Sequence, residues 1–238
     1  MSSSVSSVFH VFQILAISGQ HLYFEVIIMD DKTYWDEYYA THSKPAEAST
    51  FAEFIKDKLE KGKTLIELGC GNGRDSLFFS KKEVNVIAVD QVASEIDFLN
   101  ENYSADNLHF VCDDFTNLAE STNELVKTTE FDYIYSRFTF HSINEAKEDR
   151  TLLWISQNLN DGLFLLEARS LNDPMFKKGD KLSDSENFTT HYRRYMDMDK
   201  FIAKLENLGF EILFKIEDKD LAPYKDDNPY VIRIIAKK

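Results

Sequence analysis

Glu67 and three alternating glycines, Gly69, Gly71 and Gly73, stand in one run, Thr64-Leu-Ile-Glu-Leu-Gly-Cys-Gly-Asn-Gly-Arg-Asp75. Without a Cβ, glycines let the chain turn sharply and bring its backbone close to a ligand. Thr64 to Leu68 is apolar except for Glu67, which predicts a buried strand, and Arg74 to Lys81 reads as a helix. A strand, a glycine turn and a helix in that order form a corner suited to a nucleoside cofactor. A dinucleotide site would want a third glycine at the sixth position of its fingerprint, where this chain has Arg74. The next apolar run, Asn85-Val-Ile-Ala-Val-Asp90, closes on an acid. It lies roughly 20 residues beyond the turn, where a carboxylate meets ribose hydroxyls.

The pattern E-x-G-x-G-x-G resembles motif I of class I S-adenosylmethionine-dependent methyltransferases. The resemblance implies a Rossmann-like α/β fold: a seven-stranded, mostly parallel sheet with an antiparallel closing strand and helices on both faces. It also implies S-adenosyl-L-methionine as cofactor and S-adenosyl-L-homocysteine as product. On this reading Glu67, Gly69, Cys70, Gly71, Asn72 and Gly73 line the cofactor from the turn, and Asp90 and Gln91 meet it from the second strand. Leu108-His-Phe-Val-Cys112 is the third strand, after which Asp114 and Phe115 take the place of the family's adenine corner. Phe131-Asp-Tyr-Ile-Tyr-Ser136 is the fourth strand and brings Ser136 to the cofactor. Leu208-Gly209-Phe210 matches the junction of the last helix with the sixth strand. Taken singly, the glycines read as a tight turn and each aspartate as a helix cap. Their order and separation carry the argument.

Gly71-Asn-Gly-Arg-Asp-Ser-Leu77 is similar to the tellurite-resistance and thiopurine methyltransferases, a branch that acts on small molecules. In that branch a Y-W-x-x-x-Y segment folds over the cofactor, which places Tyr34 and Trp35 of Tyr34-Trp-Asp-Glu-Tyr-Tyr39 near the sulfonium. The plainer reading of this aromatic stripe is core packing.

The arginines address what receives the methyl group. Arg137 follows the fourth strand, Arg169 ends the fifth, Leu163-Phe-Leu-Leu-Glu-Ala-Arg169, and Arg193 and Arg194 lie in His191-Tyr-Arg-Arg-Tyr195. Ligands of open α/β sheets bind beyond the carboxyl ends of the strands. Arg137, Arg169, His191, Arg193 and Arg194 are therefore candidate acceptor-binding residues. Guanidinium forks suit carboxylate or phosphate, so the expected acceptor is a small anionic molecule. The alternative is pairing with the abundant surface acids. His141 is the first candidate general base for a hydroxyl acceptor, with Glu167 and His191 as further candidates. A noncatalytic cofactor-binding subunit and an NAD(P)-dependent oxidoreductase are the other readings of the same nucleotide-binding logic.

The elements that must position these residues fit one domain, since 238 residues suffice for a single α/β core. Two N-terminal helical segments, one of them Phe51 to Leu59, precede alternating strands and helices and a final hairpin closed by Tyr230-Val-Ile-Arg-Ile-Ile-Ala236. The polar stretch from Ser170 to Asn187 is expected to be a mobile lid, and the Lys219 to Asn228 loop to reach the same edge. A net charge of -14 disfavours nucleic acid as a partner. Cys70 and Cys112 sit where free thiols belong, which fits a reducing cytoplasm, and no cluster with metal-ligand spacing occurs, so no metal is expected. Residues 1–28 contain an apolar run, Val8 to Ile17, too short to span a bilayer and with no preceding Lys or Arg. They are expected to be an extension ahead of a domain running over 29–238, and no membrane association is expected.

Overall fold

The structure is a computed structural model that describes residues 31–42, 44–189, 191–225 and 227–238. The expected extension over 1–28 lies outside the described residues. Seven strands form the main sheet: β1 (Thr64–Leu68), β2 (Asn85–Asp90), β3 (Leu108–Cys112), β4 (Phe131–Arg137), β5 (Leu159–Arg169) and, beyond a three-stranded insertion, β9 (Glu211–Asp218) and β10 (Val231–Lys237). The insertion is β6 (Asp180–Lys181), β7 (Glu186–Phe188) and β8 (Tyr192–Arg194). The helices are α1 (Asp31–His42), α2 (Thr50–Ile55), α3 (Arg74–Lys81), α4 (Ala93–Tyr103), α5 (Glu124–Thr128), α6 (Glu145–Asn158) and α7 (Met198–Asn207).

The strand order is β3-β2-β1-β4-β5-β10-β9. β1 to β5 pair in parallel, and β10 runs antiparallel to both β5 and β9. This is the Rossmann-like methyltransferase architecture expected from the motifs. The order reverses at β1, so β1 and β4 diverge toward opposite edges and open a crevice at their carboxyl ends.

Each strand feeds two cores, because successive side chains point to opposite faces. Ile66, Leu68, Ile134, Phe164, Leu166, Ile232 and Ile234 pack on one face with Leu152 and Ile155 of α6 and Phe201, Ile202 and Leu205 of α7. Leu65, Val86, Ala88, Tyr135, Leu165 and Ile235 pack on the other with Phe51 and Ile55 of α2, Phe79 of α3 and Ile96 and Leu99 of α4. Burial of each such side chain contributes about 1.5–3 kcal/mol, and both faces must be covered for a parallel sheet to persist.

Side-chain caps define where these helices begin. Ser49 Oγ accepts Ala52 N at 3.0 Å ahead of α2, and Ser49 is itself tied to α3, donating from N and Oγ to Asp75 at 2.7 and 2.8 Å. Asn144 caps α6 through Lys147 N at 2.9 Å, and Asp197 caps α7 through Lys200 N at 3.1 Å. The segment expected as a mobile lid, Ser170 to Asn187, carries a 3-10 turn over Pro174–Lys177, β6 and most of β7, and joins β8 in a three-stranded meander. Asn187 is its buried peg, donating from Nδ2 to the carbonyls of Met175, Phe176 and Lys178 at 3.0, 3.1 and 2.8 Å. A single polar Asn inside a loop-like sequence thus closes the turn. No helix among the described residues is long and apolar enough to cross a membrane.

Candidate functional site

At the carboxyl end of β1, Gly69 N and Cys70 N both donate to Val89 O, at 2.8 and 2.9 Å, which locks the glycine turn to the end of β2. Gly69, Gly71 and Gly73 hold φ of +76°, +52° and +71°, conformations that L side chains rarely adopt. A Cβ on Gly71 would run into Tyr39 Oη, and one on Gly69 into Thr139 Cγ2. Asp90 sits against the turn: Oδ2 accepts Gly71 N at 2.9 Å and Oδ1 accepts Val92 N at 3.1 Å. Burial raises its pKa, against the opposing effect of these backbone donors. A carboxylate offers about four acceptor sites, so after these two donors and Gln91 N one remains for a further donor such as a hydroxyl.

The expected cofactor residues divide. Gly69, Gly71, Gly73, Asp90 and Phe115 converge on this corner, the Phe115 ring lying 3.8 Å from where a Gly69 Cβ would be. Cys70 is buried in the turn, where desolvation holds its thiol well above the ordinary range. Gln91 is half-buried beside Asp90. Asn72 reaches away, donating to Lys44 O at 3.1 Å. Glu67 faces α3, not the crevice: it is buried and accepts from Ser76 Oγ, and desolvation followed by the nearby Asp75 holds its pKa well up. Asp114 spends one oxygen on a cap, Oδ1 accepting Thr116 N and Oγ1 at 2.8 and 2.7 Å. Ser136 is fully buried with its hydroxyl on Thr139 Oγ1 at 2.5 Å, so it holds Thr139 against Gly69 rather than facing a ligand.

Tyr34 and Trp35 pack beside His191. The Tyr34 ring stacks on His191 at 4.2 Å, and Trp35 stands edge-on to Tyr34 at 5.0 Å. The residue over the glycine turn is Tyr39, reached from Trp35 across one helical turn, ring to ring at 6.1 Å. Burial, with Asp90 nearby, pushes its phenol well above the ordinary range. Its signal in the sequence was the i, i+4 spacing from Trp35, which core packing also produces.

The other half of the rim is built by register. Arg137 pairs with Glu167 across β4 and β5, and Glu167 with Arg233 across β5 and β10. Arg137 Nε and Arg233 Nε therefore reach the two Glu167 oxygens, at 2.8 and 2.6 Å. Glu167 is wholly buried with both oxygens engaged, which corrects its candidacy as a general base: it is the shared counter-ion of two arginines. Arg169 is likewise committed, to Asp173 at 2.7 Å and to Asp227 of the β9–β10 loop. Arg193 and Arg194 point to opposite faces of β8. Arg194 is buried on Glu148 and donates to Ile143 O at 3.2 Å, so it bolts β8 to α6 and is not a ligand-facing group. Arg193 bonds Thr189 Oγ1 at 2.5 Å, and among the described residues no carboxylate lies within ion-pair distance of it. Burial, with Arg169 close by, holds its guanidinium below its ordinary pKa.

His141 follows β4 on a 3-10 turn and is buried, with Nδ1 lacking a hydrogen-bond partner. Desolvation, then the charges of Arg169, Arg193, His191 and Arg137, hold its pKa well below the ordinary value. His191 is pushed down to about 3 by burial and by Arg193 and Arg169. Both imidazoles are thus neutral at physiological pH. Phe138, in the left-handed region at φ +56°, sets its ring among these groups, 4.3 Å from the Arg137 guanidinium and 5.6 Å from His141. So strained a conformation in a bulky residue is characteristic of functional sites.

A further acid in the cofactor corner was not legible in the sequence. Glu95, in the first turn of α4, is only 3% exposed, and its Oε1 has no hydrogen-bond partner. A glutamate at that helix position ordinarily faces solvent. A groove of about 740 Å³ lined by Lys127, Glu130, Ser156, Asn160, Asp161 and Lys238, among others, opens at the opposite ends of the strands, and no expected site residue lines it.

Residues 39–214 match the model of a methyltransferase domain. A probable S-adenosyl-L-methionine-dependent methyltransferase TehB of Haemophilus influenzae is 26% identical over 147 residues, 61% of this chain and 49% of the relative, so the match spans about half the length of that curated protein. Among solved structures, a TehB-like SAM-dependent methyltransferase from Corynebacterium glutamicum superposes with a TM-score of 0.57 at 18% identity over 87% of this chain and 98% of the other. The 1,6-didemethyltoxoflavin-N1-methyltransferase of Burkholderia thailandensis, solved with its substrate and S-adenosylhomocysteine, gives a TM-score of 0.61 at 17% identity over 87% and 84%. The positive-φ glycine cradle and Asp90 at the end of β2 fit an adenosyl cofactor. Fold, glycine turn and family model agree, and the chain belongs to the methyltransferase-domain family of class I, S-adenosylmethionine-dependent type.

Proposed function

We propose that this protein transfers a methyl group from S-adenosylmethionine to a small acceptor carrying a carboxylate or phosphate. The observation that carries the acceptor class is Arg193: a half-buried guanidinium on the rim with no carboxylate at ion-pair distance among the described residues. An anion is the group that would complete it. Glu167 also serves two guanidinia, which leaves the rim further biased toward negative ligands.

When bound, the cofactor supplies an electrophilic methyl carbon. Gly69, Gly71 and Gly73 would hold it through backbone approach, Asp90 through its hydroxyls, and Phe115 and Tyr39 by contact across the glycine turn. The chain's task is then to fix the acceptor in line with that carbon, because positioning converts encounter entropy into rate. Arg193 holds the acceptor's anion. The unpartnered Nδ1 of His141 accepts a hydrogen bond, and where needed a proton, from the nucleophile. Burial first, and then the charges of Arg169 and Arg193, keep His141 neutral and so able to accept. Glu167 orients Arg137. The Burkholderia neighbour, solved with bound 1,6-didemethyltoxoflavin, supports a small-molecule acceptor.

Incubation of the full chain with methyl-labelled S-adenosylmethionine and a panel of phosphate- and carboxylate-bearing metabolites tests this, with S-adenosylhomocysteine formation as the readout. Arg193→Ala should raise the acceptor KM at least tenfold and leave S-adenosylhomocysteine affinity within twofold. Turnover confined to uncharged acceptors, or a KM indifferent to Arg193, would reject the anionic class. Cofactor binding with no turnover on any acceptor would favour a noncatalytic role.

A further inference from the structure

Glu95 is an anomaly in the cofactor corner. Its carboxyl is buried to 3% exposure, and its Oε1 is sealed from solvent without a partner. Leaving a buried polar atom unsatisfied is costly, and such atoms in native structures call for an explanation. Packing alone does not supply one, since Leu or Met at this place would fill the space without the cost.

Its surroundings identify the missing group. α4 starts directly after Asp90 and Gln91, so the first turn of the helix stands over the end of β2. Burial first, and then the Asp90 charge, push the Glu95 carboxyl up to about 7. The Glu95 charge in turn acts on Tyr39 from α1 and on Cys70 from the glycine turn, while Asp36 of α1 and Glu67 of β1 stand among the other acids of this corner. Among the described residues no cation lies within ion-pair distance of Glu95. Two carboxyls that share a space without a cation form a good receptor for neutral O–H donors, and a vicinal pair of hydroxyls presents two side by side.

We propose that Glu95 is a second nucleoside-binding carboxyl: with Asp90 it takes the two vicinal ribose hydroxyls of the cofactor, one hydroxyl to each carboxyl. Asp90, already holding Gly71 N and Val92 N, anchors one hydroxyl to the glycine turn. Glu95 Oε1, without a hydrogen-bond partner among the described residues, gains one when the cofactor is in place. The assignment rests on the S-adenosylmethionine reading of the site and extends it to a residue outside motif I.

Titration calorimetry of the full chain with S-adenosylhomocysteine and with its 2′,3′-dideoxy analogue separates the two claims. Glu95→Leu should weaken S-adenosylhomocysteine by roughly tenfold to a hundredfold, the worth of a hydrogen bond to a charged group, and change the dideoxy analogue less than twofold. Equal weakening of both ligands, or S-adenosylhomocysteine affinity within twofold of wild type, overturns the assignment. Glu95→Gln gives a second reading should the Leu variant fail to fold. Wild-type affinity should rise from pH 6 to pH 8 as the carboxyl ionises, and that rise should be absent in Glu95→Gln; a rise that persists unchanged overturns the proposal. A wild-type chain that binds neither ligand overturns the cofactor reading itself, whereas binding that is lost in Asp90→Asn but kept in Glu95→Leu overturns only the role of Glu95.

Discussion

Arg193 and Arg194 are neighbours in sequence with opposite duties, and separate alanine substitutions should split stability from acceptor binding. Arg194 is buried against Glu148 and also donates to Ile143 O. Removing it strands a carboxylate that is 2% exposed. Breaking a buried pair from one side costs about 3–5 kcal/mol. Here Lys204 Nζ remains 2.8 Å from the other Glu148 oxygen, which argues for the lower end. The expected loss is about 3 kcal/mol, or a fall in Tm of roughly 6–12 °C for a domain of this size. Arg193→Ala removes a bond to one threonine hydroxyl on a half-buried side chain and relieves crowding with Arg169, so its Tm should stay within about 2 °C of wild type. Thermal and urea unfolding followed by circular dichroism, set beside acceptor KM, reads both effects. An Arg194→Ala protein as stable as wild type, or an Arg193→Ala protein destabilised as much as Arg194→Ala, would refute the division of roles drawn from the two faces of β8.

Glu95→Gln should stabilise the protein at pH 8 by about 3 kcal/mol, the worth of holding the carboxyl at about 7 rather than 4.5, and do nothing below pH 4.5. The folded carboxyl holds its proton up to about 7 against an ordinary value of 4.5, so wild-type stability falls as pH rises through that window and the amide escapes the fall; urea midpoints at several pH values measure it. Gly71→Ala should weaken S-adenosylhomocysteine at least tenfold in calorimetry, because φ is +52° there and the new methyl meets Tyr39 Oη. His141 should show no protonation between pH 5.5 and 8 in imidazole NMR titrations of the free protein, since burial first and then four cationic or imidazole neighbours hold its pKa down; a titrating His141 in that range would refute its buried, neutral placement. Glu167→Gln should cost about 3 kcal/mol or more by leaving Arg137 and Arg233 without their common counter-ion, which thermal unfolding detects.

The sequence by itself determined the parts of this protein that are local. Backbone geometry demands glycine at positive φ, and apolar runs of strand length must be buried. Hence β1, α3, β2 and β3 fall where the residue pattern placed them, and the glycine turn and Asp90 meet. What the tertiary structure decided was the fate of charged side chains, since a carboxylate or guanidinium is read as a ligand or a structural partner only once its neighbours are known. Register across β4, β5 and β10 made Glu167 a counter-ion, and the alternation of a three-residue strand sent Arg194 inward and left Arg193 on the rim. The β6-β7-β8 meander was hidden because its polar sequence is closed by one buried Asn rather than by an apolar stripe. Glu95 was invisible for the same reason. Its sequence neighbourhood is that of an ordinary exposed helix start, and only packing against Asp90 and the glycine turn takes it out of water.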